Sequence, residues 1–120
     1  MTKKPNTGFK RLYKAAGFSW QGLTAAFKNE AAFRQELCLA AVLIPLAFYL
    51  DVSQVERILM IAAIVLIMVV ELINTAIEAV VDRIGSERHE LAGVAKDTGS
   101  AAVFVCMLLA GYVWLEVLFL

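Results

Sequence analysis

The chain has 120 residues, is 61% hydrophobic and only 18% charged, and has a mean hydropathy of +0.74. An average soluble domain is about 45–50% apolar and about 25% charged. The excess here excludes a disordered chain and argues against an ordinary soluble globule. Eleven Lys plus Arg balance eleven Asp plus Glu, which removes any global argument for nucleic-acid binding.

The first predicted element is an amphipathic helix over about residues 6–29. Phe9, Leu12, Tyr13, Ala16, Trp20, Leu23 and Phe27 recur at helical spacing on one face, and Lys10, Arg11, Lys14, Gln21 and Lys28 occupy the rest. This pattern suits a helix lying in a membrane surface, with its basic side toward anionic headgroups. It has no apolar core followed by a small-residue cleavage site, so it does not read as a cleavable signal peptide.

Three apolar segments follow, predicted to span a bilayer at about residues 31–50, 55–81 and 99–119. Helices are expected, because lipid offers backbone groups no partners and period-2 alternation is absent. Lys3, Lys4, Lys10, Arg11, Lys14, Lys28 and Arg34 precede or open the first span, and Arg83, Arg88 and Lys96 fall in a second loop expected over 82–99. The first loop holds only Arg57, and the tail after Leu115 has no basic residue. The positive-inside rule therefore places the N-terminus and the second loop in the cytoplasm, and the C-terminus outside. Cys38 and Cys106 lie in apolar runs without metal spacing and are expected to be buried small hydrophobes.

The informative feature is ELINTAIEAVVD, Glu71–Asp82. At about 100° per residue, Glu71, Asn74, Thr75, Glu78 and Asp82 fall in one stripe about 100° wide. Leu72, Ile73, Ala76, Ile77, Val80 and Val81 take the other side. An ionisable group inside a bilayer costs about 2.5–3.5 kcal/mol on insertion scales, so two glutamates in register point to function. With the outer edge of this span near Val55, Glu71 lies just inside the hydrocarbon, near a lipid headgroup hydroxyl. Glu78 and Asp82 then lie at the interface, within reach of a soluble anionic cosubstrate.

Glu71 and Glu78 are about 10.5 Å apart along the helix and cannot share one Mg²⁺, whose oxygen ligands lie at about 2.0–2.1 Å. A second carboxylate must come from elsewhere, and Glu30 and Glu36 are the candidates on that side of the membrane. Lys96 and Asp97 are phosphate-contacting candidates or plain interfacial charges. Gly17–Gly22 lacks the Walker lysine, and neither a GxGxxG nor a protein-kinase motif occurs.

Glu71–Asp82 matches every specified position of E-x-[LIVM]-N-[ST]-[SA]-[LIV]-E-x-x-V-D, and in this the chain resembles the prokaryotic diacylglycerol kinase family. NEAAFRQE (Asn29–Glu36), KAAG followed by SW (Lys14–Trp20), DRIGSE (Asp82–Glu87) and AKD (Ala95–Asp97) extend the resemblance over roughly residues 8–110. It implies an all-α integral-membrane lipid kinase with three transmembrane helices and one surface helix. It also implies a homotrimer with active sites shared between subunits, in the bacterial inner membrane. The reaction implied is direct transfer of the ATP γ-phosphoryl group to diacylglycerol, with Mg²⁺.

By the same resemblance, Glu71 matches the general base, and Glu30 and Glu78 match the carboxylates that hold MgATP. Arg11, Phe18, Asn74, Glu87, Arg88, His89, Lys96 and Asp97 match nucleotide or phosphate positions. Arg11, Ala15, Ser19, Trp20, Ala32, Arg34, Gln35, Glu36, Glu71 and Ser100 match positions around the lipid substrate. Phe18 and Arg88 stand where some members have Tyr.

Three rival readings are an undecaprenol kinase of the same fold, a non-enzymatic ion-conducting oligomer and a membrane anchor. The conducting reading has to contend with Ile58–Val70, which contains no polar group to continue a pathway. An anchor would not need two glutamates in register.

Overall fold

The computed structural model describes residues 7–85 and 89–120. These form α1 (Gly8–Asn29), α2 (Ala31–Tyr49), α3 (Gln54–Ile84) and α4 (Glu90–Phe119). The last three are long and apolar enough to cross a membrane.

Each junction has a local cause. Gly8 opens α1 at φ 64°, a left-handed conformation that a glycine adopts without Cβ strain. At the other end of α1, Glu30 is extended. The Arg34 guanidinium donates to the Phe27 and Lys28 carbonyls at 2.7 and 3.1 Å. It thereby satisfies acceptors that the helix end leaves open and sets a positive charge at the negative end of the dipole. The chain turns at Glu30, which closes α1 and precedes α2.

Between α2 and α3, Arg57 plays the same part. It donates to the carbonyls of Ala47, Leu50 and Val52 at 3.0, 3.3 and 3.4 Å. Ser53 and Glu56 form a reciprocal capping box at 3.0 and 3.1 Å, which starts α3. His89 caps α4 by accepting from the Leu91 amide at 3.1 Å.

α3 and α4 are 31 and 30 residues long, or about 45 Å, while a hydrocarbon core is about 30 Å thick. Both therefore run past the expected spans, and residues 82–84 and 90–99 of the expected loop are helical. α3 continues to Ile84 and α4 begins at Glu90, so Lys96 and Asp97 stand on helix. Apolar length measures the membrane, whereas helix length is set by caps.

α4 packs antiparallel along α3, with α2 on α3 and α1 touching α2 and α3. The core joins Ala40, Ala63, Ile64, Ile67, Val103 and Ala110. Its alanines let helix backbones approach closely, as membrane packing requires. Trp114 Nε1 donates to the Met60 carbonyl at 3.2 Å, tying the far ends of α3 and α4. Contrary to expectation, Cys38 is exposed on the outer side of α2, and Cys106 is only half-buried. An apolar run on a spanning helix faces outward as well as inward, so hydropathy does not select the buried side.

Candidate active site

A cleft of about 370 Å³ opens between the start of α2 and the second half of α3, with α4 as its apolar wall. Glu30, Ala32, Glu36, Glu71, Asn74, Glu78 and Ser100 line it, with Val103, Phe104 and Met107 opposite. Helix geometry explains the convergence. α2 and α3 run in opposite directions. The Glu30-to-Glu36 and Glu71-to-Glu78 intervals are therefore nearly equal, at about 9 and 10.5 Å. Their carboxyls consequently meet in two pairs. Glu36 faces Glu71 deep in the cleft, and Glu30 faces Glu78 toward its mouth.

The deeper pair is dry. Glu36 and Glu71 are each 5% exposed, and neither Glu36 oxygen has a hydrogen-bond partner. Two buried carboxyls side by side cannot both carry charge cheaply. Thr75 takes no part in it, because its hydroxyl donates to the Glu71 carbonyl of the preceding turn at 3.0 Å.

The outer pair has different surroundings. Glu78 is half-buried and accepts from Asn74 Nδ2 at 3.4 Å. Lys96 lies near Glu78 and pairs with Asp82 at 2.9 Å, bridging the ends of α3 and α4. Among the described residues no three His, Cys, Asp or Glu side chains converge to ligate a metal. Two adjacent carboxylates do suit Mg²⁺, which is commonly held by one or two protein carboxylates plus phosphate oxygens and water.

Several sequence-derived candidates lie outside this cleft. Arg11, Ala15, Phe18, Ser19 and Trp20 are exposed on α1, where the Ser19 hydroxyl donates to the Ala15 carbonyl at 2.9 Å. Arg34 is engaged with the α1 carbonyls, Gln35 and Asp97 are exposed, and His89 caps α4. Glu87 and Arg88 lie outside the described residues. Sequence reasoning missed the direct apposition of Glu36 and Glu71. The matched glutamate spacings on adjacent helices were the signal for it. It also missed Gly99, which packs against Asn74.

The profile of the prokaryotic diacylglycerol kinase family matches residues 17–118. The chain is 54% identical over 113 residues to a diacylglycerol kinase of Haemophilus influenzae, covering 94% of this chain and 96% of that one. It is 56% identical over 108 residues to one from Escherichia coli K12, covering 90% and 88%. It is 54% identical over 115 residues to one from Pseudomonas aeruginosa, covering 96% and 94%.

Proposed function

The chain belongs to the prokaryotic diacylglycerol kinase family, and we propose that it phosphorylates diacylglycerol to phosphatidic acid with MgATP at the cytoplasmic side of the membrane. It is a multi-pass bacterial membrane protein. The observation that carries the proposal is the cleft itself, with a buried carboxyl pair deep inside and a second pair at the mouth, beside a lysine.

In this reading Glu71 accepts the proton of the lipid hydroxyl as the γ-phosphoryl group is transferred in line. Glu36 lies beside the Glu71 carboxyl, where it can share that proton. Glu30 and Glu78 would hold Mg²⁺, which when bound neutralises phosphate charge. Lys96 adds positive charge at the mouth, and Asn74 orients Glu78. The work is positioning and electrostatics, without a covalent enzyme intermediate.

A homotrimer with shared sites completes the picture. Arg11, Ala15, Phe18, Ser19 and Trp20 on α1 lie outside the cleft of their own chain. Large apolar side chains such as Ile58, Val105, Leu108 and Tyr112 are exposed on α3 and α4. A neighbouring subunit would cover part of that surface and bring its α1 over the cleft. The basic arm places the N-terminus in the cytoplasm and the C-terminus in the periplasm.

The test is phosphate transfer by the purified protein in mixed micelles, with γ-labelled ATP, Mg²⁺ and either dioleoylglycerol or undecaprenol. Labelled phosphatidic acid is the expected main product. Preferential labelling of undecaprenol would overturn the lipid assignment, and labelling of neither would overturn the kinase reading.

A further inference from the structure

α4 carries glycines at 93, 99 and 111, and only at one of them does another side chain of the described residues occupy the place of a Cβ. A Cβ at Gly93 or Gly111 would meet nothing within 4 Å. A Cβ at Gly99 would collide with Asn74 Oδ1 and stand 3.0 Å from Asn74 Cγ. The space left by the missing side chain is filled by the Asn74 carboxamide.

Asn74 is arranged unlike a side chain buried for packing alone. It is 6% exposed, and its Oδ1 has no hydrogen-bond partner. Pressed against Gly99, that oxygen has at most a weak C–H···O contact in exchange for lost water. Its Nδ2 points to Glu78 Oε1 at 3.4 Å. Exchanging oxygen and nitrogen would set a carbonyl against a carboxylate, so charge selects the observed orientation. One end of the amide goes unsatisfied so that the other can donate to Glu78.

We propose that Gly99 is a positioning residue for the outer, cation-binding end of the cleft. By lacking a side chain it holds Asn74 in the one rotamer that donates to Glu78, and so holds the Glu78 carboxylate against Glu30. Any larger residue at 99 turns the carboxamide away and releases Glu78. The inference rests on the reading of Glu30, Asn74 and Glu78 as the MgATP end of the site.

The experiment compares Gly99→Ala, Asn74→Ala and the double variant in mixed micelles, with dioleoylglycerol and MgATP varied independently. Helicity, thermal stability and oligomeric state are measured alongside. Gly99→Ala is expected to raise the KM for MgATP about 10–100-fold, the scale of a lost hydrogen bond to a charged group. The KM for dioleoylglycerol should stay at its wild-type value.

In the Asn74→Ala background the same substitution is expected to change nothing further. The two Asn74 atoms nearest the position-99 Cβ are then gone, and the residue 74 Cβ stands at 3.8 Å, an ordinary contact. This comparison decides the matter even where Gly99→Ala alone fails to assemble. A wild-type MgATP KM in Gly99→Ala, an equal rise in both KM values, or a further loss in the double variant would each overturn the inference. Should Asn74→Ala itself leave MgATP kinetics unchanged, the underlying site reading falls and this inference with it.

Discussion

The two ends of the α3–α4 pair are built on different principles. At the outer end, Ile64, Ile67 and Ala63 meet Ala110 in a dry apolar seam, with the Trp114–Met60 hydrogen bond beside it. At the inner end, the same two helices close around Glu71, Asn74 and Glu78 with Gly99 opposite. Lipid is as apolar as the outer seam, so association there rests on close van der Waals fit and not on transfer of apolar surface from water. The inner end buries the Asn74 Oδ1 and, on the adjoining α2, both Glu36 oxygens without hydrogen-bond partners, which costs stability that the outer seam does not give up. One helix pair is thus an apolar seam in one half and the wall of a carboxylate-lined cleft in the other.

The largest test of that contrast is Glu71→Gln. Removing a general base costs about 10²–10⁴-fold in rate, so phosphatidate formation is expected to fall by at least about a hundredfold. Helicity and ATP binding should be retained. Near-normal turnover in mixed micelles would remove Glu71 from the mechanism and blur the distinction between the two ends.

Glu78→Gln comes next. It keeps the shape but removes one charge of the outer carboxyl pair, and should raise the Mg²⁺ concentration for half-maximal activity about tenfold or more. A magnesium titration at fixed ATP measures it. An unchanged midpoint would detach the outer pair from the metal.

The smallest effect is expected at the outer seam, from Ile64→Ala. Soluble cores lose about 2–5 kcal/mol for such a truncation, but surrounding lipid takes away much of the transfer component. A loss of about 1–2 kcal/mol in detergent thermal unfolding is expected, with both KM values unchanged. A change in MgATP KM would show that the two ends are mechanically coupled.

The glutamate stripe was legible because α-helical periodicity alone places residues 71, 74, 78 and 82 on one face. The partners of those residues were not. By spacing alone Glu30 and Glu36 stood as equal candidates for a second carboxylate, and only the family resemblance favoured Glu30, since one-dimensional spacing does not say which helix turns back beside which. The tertiary structure separates them by depth, with Glu36 beside Glu71 and Glu30 beside Glu78. Lys96 was read as a loop residue because the charge density of residues 82–99 ends the apolar run, yet the helix continues through it. Gly99 gave no signal, because a glycine's role is defined by what approaches it.

By itself, the sequence determined three segments long and apolar enough to cross a membrane, an uneven distribution of basic residues along the chain, and one face of the second span that carries Glu71, Asn74, Glu78 and Asp82. Those properties follow from hydropathy, charge and helical period, which are local along the chain. Only the tertiary structure decided which carboxyls form pairs, that the Arg34 and Arg57 side chains cap the helices preceding them, and that the Asn74 carboxamide occupies the space beside Gly99. Those depend on the register and approach of helices distant in sequence, and such contacts are set by packing rather than by composition.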